Sequence, residues 1–200
     1  MTSILILGHS YIARLRDEVG QGTVENFLQT SNHTNISAYG IRGANASGDY
    51  TSRFLNMINF YEPQVVVVEL GINDILDGTP ALTVANNLIK MCATFLEKAT
   101  FLQHVFLNSL IQPCNLPDFV ATNAGKCNEI LYHMAYTEPL ITFYKHRPTI
   151  FKTTDFSDRL HPIMSQHMVY WKSLRRLIFT TVQRYKQVIV PHLSYNLSVD

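Results

Sequence analysis

Four short groups of residues carry the side chains and glycines that could do chemistry in this chain. In chain order they are Gly8-His9-Ser10, Gly40-Ile41-Arg42-Gly43, Gly71-Ile72-Asn73-Asp74 and Asp158-Arg159-Leu160-His161. A serine hydroxyl is a weak nucleophile near neutral pH until a base within hydrogen-bond reach accepts its proton, and a neutral imidazole suits that task best. A carboxylate one helical turn before the imidazole can orient the ring. These residue types therefore permit acyl transfer through a serine, if the fold brings them together.

Each group also has a simpler interpretation when it is taken alone. Ser10 or Asp158 could cap a helix, and Asn73 could belong to an ordinary turn. Gly43 could lie in a flexible loop, and His161, which precedes a proline, could begin a helix. The chemical interpretation therefore depends on which elements precede each group.

Apolar runs predict a strand before most of these groups. Residues 3–7 and the run of four valines at 65–68 are typical of strands buried inside a parallel sheet. Weaker patterns predict further strands at 36–39, 105–109 and 149–151. Helical periodicity is predicted at 11–19, 47–60, 79–96, 123–136 and 163–186, with Thr79 as a cap before Pro80 and a loop over 115–122.

Strands that alternate with helices predict an α/β protein, a three-layer α/β/α sandwich around a central parallel sheet of about five strands. In such a sheet, ligands bind at the carboxyl ends of the strands, which is where the groups fall. The length of 200 residues predicts one domain at 1–186, followed by a tail at 187–200 with no clear period.

Composition and cysteine usage argue against several classes of protein. A net charge of +1 gives no electrostatic reason to expect nucleic acid as a partner. Cys92, Cys114 and Cys127 are odd in number and widely spaced, which argues against a disulfide framework and a zinc site and favours buried thiols. We find no signal-peptide core and no apolar segment long enough to span a membrane, and we therefore expect a cytoplasmic protein.

Together the four groups resemble the sequence blocks of the SGNH hydrolases, the GDSL-like esterases and lipases, over nearly the whole chain. The resemblance implies a flavodoxin-like fold in which Ser10 is the nucleophile, His161 the base and Asp158 its orienting carboxylate. It implies an oxyanion hole made by the backbone N–H groups of Ser10 and Gly43 and by the side-chain amide of Asn73. It implies no metal and no cofactor. One departure is His9, where the family usually has an aspartate that supports the loop.

The resulting prediction is a serine esterase that hydrolyses a small-molecule ester with a short acyl group, such as acetyl, through an acyl-enzyme intermediate. Two alternatives use the same fold: a non-catalytic ligand-binding module, and an acyltransferase with the same triad. A nucleotide or flavin binder would need a glycine-rich loop after the first strand, and the single Gly8 is a poor one. His9 could act as a neighbouring base, but adjacent residues at a strand end tend to point to opposite sides. The remaining histidines receive no role.

Overall fold

In a computed structural model of the protein, the described residues are 2–19, 34–111, 117–146 and 169–180. Five parallel strands form one sheet in the order β2-β1-β3-β4-β5, the order of flavodoxin-like sheets. The strands are β1 Thr2–Gly8, β2 Thr34–Gly40, β3 Val65–Glu69, β4 His104–Asn108 and β5 Ile141–Tyr144. The helices are α1 Ser10–Val19, α2 Gly48–Tyr61, α3 Ile72–Leu76, α4 Ala81–Lys98, α5 Asp118–Tyr136 and α6, residues 169–180. The predicted fold class is confirmed.

Strand β3 shows why the sheet lies between two layers of helices. All five of its residues are buried, so both faces of the strand are covered. Val66 and Val68 face one apolar cluster with side chains of α2, α4 and α5. Val65 and Val67 face a second cluster with side chains of α1 and α6. Burying each such side chain contributes about 1.5–3 kcal/mol, which explains why a valine run occupies the centre of the sheet.

The fifth strand of the described sheet is not among the strands predicted from the sequence. It covers Ile141–Tyr144 and pairs with β4, with Ile141 beside Val105, whereas residues 149–151 lie outside the described residues. The strand has only four residues and lies at the edge of the sheet, so its local pattern is weak and pairing with β4 decides its position.

Two helix boundaries also differ from the prediction. Helix α4 begins at Ala81, and Pro80 is its N-cap rather than its first residue, with the Pro80 carbonyl accepting the N–H of Val84 at 3.0 Å. Helix α5 begins at Asp118, inside the segment predicted as a loop. Both errors are of the kind expected at helix ends, where caps and chain direction decide the boundary.

Helix α6 lies inside the long helix predicted at 163–186. Among its described residues, the predicted apolar side is buried at Trp171, Leu174, Leu177 and Ile178, and the predicted cations Lys172, Arg175 and Arg176 are exposed. The rest of that helix, the end of the domain at residue 186 and the tail at 187–200 lie outside the described residues. No helix among residues 2–19, 34–111, 117–146 and 169–180 is long and apolar enough to cross a membrane.

Candidate active site

Three strands end side by side at one edge of the sheet. Gly8, the last residue of β1, pairs with Gly40 of β2 and with Glu69 of β3. Two backbone hydrogen bonds just beyond the strands keep the three strand ends aligned. The Ile41 N–H donates to the Gly8 carbonyl at 2.9 Å, and the His9 N–H donates to the Glu69 carbonyl at 3.2 Å. The three segments that follow these strands, and that carry Ser10, Gly43 and Asn73, therefore leave the sheet from one place.

Ser10 is the first residue of α1 and is 8% exposed. Its backbone N–H lies in the first turn of the helix, among N–H groups that point toward its N-terminal end. Those N–H groups and the helix dipole favour negative charge at this end. The position suits a serine whose oxygen, and the substrate oxygen beside it, gain negative charge during a reaction.

His9 lies against Ser10, contrary to the argument that adjacent residues point apart. Its Nδ1 atom is 3.4 Å from the Ser10 hydroxyl oxygen, and its ring packs on that of Tyr11 with 4.6 Å between centroids. The argument for a strand fails because Ser10 already belongs to the helix. At 3.4 Å the contact is longer than the usual 2.7–2.8 Å of a hydroxyl hydrogen bond, so it fits the loop-supporting role better than that of a base.

Gly40 allows the second loop to approach the nucleophile helix. A Cβ atom added to Gly40 would lie 2.0 Å from the backbone nitrogen of Ala13 in α1. No side chain fits at that distance, so only glycine lets β2 end directly on the backbone of α1. This close approach places the loop after β2 beside the first turns of α1.

Gly43 lies in a turn whose backbone conformation favours glycine, and its role in an oxyanion hole stays a prediction. Its φ angle is +74°, in the left-handed region that favours glycine, and an added Cβ would meet no atom within 4 Å. The space beside the Gly43 Cα atom is therefore open. The turn that contains it is closed by the Ala44 N–H donating to the Ile41 carbonyl at 3.1 Å.

Asn73 and Asp74 lie in the short helix α3, which the sequence predicts only as a turn, and both bind the Gly43 loop. The Asn73 side-chain amide donates to the Ala44 carbonyl at 2.7 Å, and the Ala46 N–H donates to both carboxylate oxygens of Asp74, at 3.1 and 3.0 Å. An amide has two N–H groups, so Asn73 can hold this loop and still donate to a substrate oxygen. The Gly43 loop and helix α3, which carries Asn73, are thus held together.

The pKa of the Asp74 carboxyl lies above its usual value. Burial is the main cause, since the side chain is 5% exposed, and the negative charge of Asp77 adds to it. The hydrogen bond from the Ala46 N–H acts in the opposite direction. Burial therefore destabilises the ionised carboxylate of Asp74, and the hydrogen bonds from the Ala46 N–H partly offset this effect.

Asp158 and His161, the predicted carboxylate and base, lie outside the described residues, so their roles stay predictions. The chain re-enters the described structure after them as α6. The ring of Tyr170 in that helix lies 5.8 Å from the ring of Tyr11, the residue next to Ser10. The described part of the chain nearest to the predicted base in sequence thus packs beside the nucleophile.

A buried group that the sequence analysis missed lies under this site. Glu69, the last residue of β3, is 1% exposed; one of its oxygens accepts the side-chain N–H of Asn108 at 2.9 Å and lies 3.2 Å from Nε2 of His146. Burial alone would raise the pKa of Glu69, but the hydrogen bond and charge of His146, the charge of His9 and the amide of Asn108 lower it. A charged residue at the end of a valine run is the one sequence signal that could have indicated it.

The cysteines offer no alternative nucleophile among the described residues. Cys92 and Cys127 are buried free thiols, and burial raises the pKa of each to about 12. Cys114 lies outside the described residues. Within the described ranges, no three His, Cys, Asp or Glu side chains are grouped as metal ligands would be.

Comparison with known proteins finds a likeness in structure only. No family model matches the chain, and no curated protein matches it. A candidate acylhydrolase from Bacteroides fragilis NCTC 9343 is 18% identical, with a TM-score of 0.71 over 90% of this chain and 88% of that one. The psychrotrophic esterase EstA from Pseudoalteromonas sp., inhibited by monoethylphosphonate in its structure, is 20% identical, with a TM-score of 0.63 over 94% of this chain and 100% of that one.

A GDSL-like lipase from Bacteroides thetaiotaomicron VPI-5482 is 16% identical, with a TM-score of 0.65 over 90% of this chain and 89% of that one. Each likeness covers nearly the whole of both chains, so it concerns the full sheet and its helices. The chain therefore has the α/β/α fold of the GDSL-like lipases and esterases, the fold that the sequence resemblance predicts.

Proposed function

We propose that this protein is a serine esterase of the SGNH type that hydrolyses small esters with a short acyl group, such as acetyl. The observation that carries the proposal is the arrangement at the sheet edge. Ser10 begins a helix beside the loop that carries Gly43, and the side-chain amide of Asn73 in the short helix α3 is hydrogen-bonded to that loop.

In the proposed reaction, the Ser10 hydroxyl oxygen attacks the ester carbonyl carbon while His161 accepts the hydroxyl proton. Asp158 orients the imidazole and stabilises its protonated form. The carbonyl oxygen gains negative charge and is held by the N–H groups of Ser10 and Gly43 and by the Asn73 amide, each typically contributing about 2.7–4 kcal/mol to lowering the barrier. His161 then gives its proton to the departing alcohol, which leaves an acyl group on Ser10.

Water completes the cycle. His161 accepts a proton from the water that attacks the acyl-enzyme, and the carboxylic acid departs as Ser10 regains its proton. No step requires a metal or a cofactor. The fold likeness to EstA, an esterase whose structure was solved with a phosphonate inhibitor, supports testing the same chemistry here.

The test is hydrolysis of p-nitrophenyl esters from acetate to octanoate by the wild type and by Ser10→Ala and His161→Ala. Ser52→Ala is the matched control, because Ser52 is an exposed serine of α2. We expect cleavage that is fastest for the short esters, lost in the first two variants and retained in the control. Folded wild type that cleaves none of the esters would contradict the proposal and favour the binding module. Acyl transfer to an added alcohol faster than hydrolysis would identify the acyltransferase.

A further inference from the structure

A buried polar cluster joins the sheet edge to α6 beneath the nucleophile; it consists of Glu69, Asn108, His146 and Ser173. His146 follows β5, and its Nε2 lies 3.2 Å from the Glu69 carboxylate while its Nδ1 lies 2.9 Å from the Ser173 hydroxyl oxygen. Its backbone N–H donates to the Ser109 hydroxyl oxygen at 3.0 Å. One imidazole thus ties the end of β3 to α6.

Packing does not require a charge at position 69. Val65 and Val67 occupy the same face of β3, and both are buried in the apolar cluster that lies under α1 and α6. Replacing a buried ion pair by apolar side chains is often neutral or stabilising, so such a pair is weak evidence for a stabilising role. Buried ionisable groups with specific charge partners occur often at functional sites.

A continuous line of buried side chains connects the cluster to the nucleophile. The His146 ring lies 5.5 Å from that of Tyr170, and Tyr170 lies 5.8 Å from Tyr11. The Tyr11 ring lies 4.6 Å from that of His9, whose Nδ1 is 3.4 Å from the Ser10 hydroxyl oxygen. Distances of 4.5–7 Å between ring centroids are those of aromatic rings in contact. A displacement of His146 would therefore displace the packed rings of Tyr170, Tyr11 and His9, and with them Ser10.

A shorter connection runs along the backbone. The Glu69 carbonyl accepts the N–H of His9 at 3.2 Å. Glu69 therefore meets the nucleophile loop directly as well as through the rings. Both routes end at the residue before Ser10.

We propose that Glu69 is a positioning residue for Ser10: its buried pairing with His146 fixes the rings and the loop that hold the nucleophile in its reactive position. The inference rests on the proposed esterase function and names a residue that acts on that reaction without touching substrate. Glu69→Gln keeps the size of the side chain and removes the charge. The amide oxygen can still accept the N–H of Asn108 and contact Nε2 of His146, as one carboxylate oxygen does in the wild type, but these contacts lose the negative charge and weaken.

The matched control is Val67→Ala, since Val67 lies on the same strand and face and is 1% exposed, as Glu69 is. For each variant we would measure the melting temperature, kcat and KM for p-nitrophenyl acetate, and the rate constant for labelling of Ser10 by a fluorophosphonate. We expect Glu69→Gln to lower kcat and the labelling rate by about 10- to 100-fold, because small misplacements of reacting groups cost that much. KM should stay the same. Val67→Ala should lower the melting temperature and leave the labelling rate per folded molecule unchanged.

Ser173→Ala is the second variant, in case Glu69→Gln does not fold. It removes only the hydroxyl beside Nδ1 of His146, and we expect a smaller fall in labelling rate and kcat, of about 3- to 10-fold, with unchanged KM. Labelling rates in Glu69→Gln that fall no further than in Val67→Ala would overturn the positioning role and leave the esterase intact. If Glu69→Gln does not fold, an unchanged labelling rate in Ser173→Ala would likewise overturn the positioning role. Folded wild type that is neither labelled nor active would overturn both proposals.

Discussion

The substitution Asn73→Ala tests whether Asn73 acts on the substrate oxygen or only holds the Gly43 loop in place. The substitution removes an amide that donates to the Ala44 carbonyl at 2.7 Å and that is proposed to donate to the substrate oxygen. The side chain is partly exposed, so water can replace the bond to Ala44, and we expect a loss of about 0.5–1.5 kcal/mol in stability. The loss in catalysis should be larger, about 2.7–4 kcal/mol or 100- to 1,000-fold in kcat.

Asp74→Asn is the control for the effect of Asn73→Ala on the loop. It loosens the same loop, because an amide oxygen replaces the charged acceptor of the Ala46 N–H, but it leaves the Asn73 donor in place. A neutral acceptor is roughly half as strong as a charged one, so we expect the hydrogen bond to Ala46 to weaken by about 1 kcal/mol. Because this bond does not touch the substrate, kcat should fall by about fivefold at most.

The assay is steady-state hydrolysis of p-nitrophenyl acetate, with circular dichroism to establish that each variant is folded. An amide that acts on the transition state lowers kcat and leaves KM nearly unchanged. If Asn73→Ala loses no more activity than Asp74→Asn, or loses it through KM alone, Asn73 does not stabilise an oxyanion and the reasoning fails.

Three further predictions concern stability and reactivity. Because the folded-state pKa of Asp74 is raised above its ordinary value of 3.8, its contribution to stability is greatest below that pH and is lost as pH rises through the folded-state pKa. Urea unfolding across this range should therefore show Asp74→Asn gaining stability relative to wild type as pH rises; an opposite trend would contradict the assigned burial. Gly40→Ala should lower the free energy of unfolding by about 1–3 kcal/mol or more, since its Cβ would meet backbone of α1, and an unchanged melting temperature would refute that packing. With Cys114 replaced by serine, Cys92 and Cys127 should react with a disulfide reagent at about pH 8 only after unfolding, because both pKa values are about 12; reaction of the folded protein would contradict this.

The sheet and most of its helices could be predicted from sequence because their signals are local. The valine run of β3 allows only a buried central strand, and the helix that begins at Ser10 follows from periodic apolar residues. Strand β5 could not be located in this way. Its position at Ile141–Tyr144 depends on pairing with β4, some forty residues earlier in the chain, and a short edge strand has little pattern of its own.

The same distinction applies to the candidate site. The ends of β1, β2 and β3, which precede Ser10, Gly43 and Asn73, could be placed together because strand ends meet at one edge of a parallel sheet, a rule that needs no side-chain detail. The pairing of Glu69 with His146 could not, since 77 positions separate the two residues and a lone histidine has no spacing to interpret. The contact of His9 with Ser10 was missed because the helix begins at Ser10, one residue earlier than predicted. The rule that adjacent residues of a strand point to opposite sides therefore does not apply to this pair.

Covalent labelling by a fluorophosphonate, mapped by mass spectrometry of peptides, tests most directly whether Ser10 is an activated nucleophile. We expect the folded wild type to be labelled at Ser10 and at no other residue. Labelling should be absent in Ser10→Ala and at least about 100-fold slower in His161→Ala, because the base that accepts the serine proton is gone. Folded wild type that takes up no label, label on another residue, or full-rate labelling of His161→Ala would contradict the account.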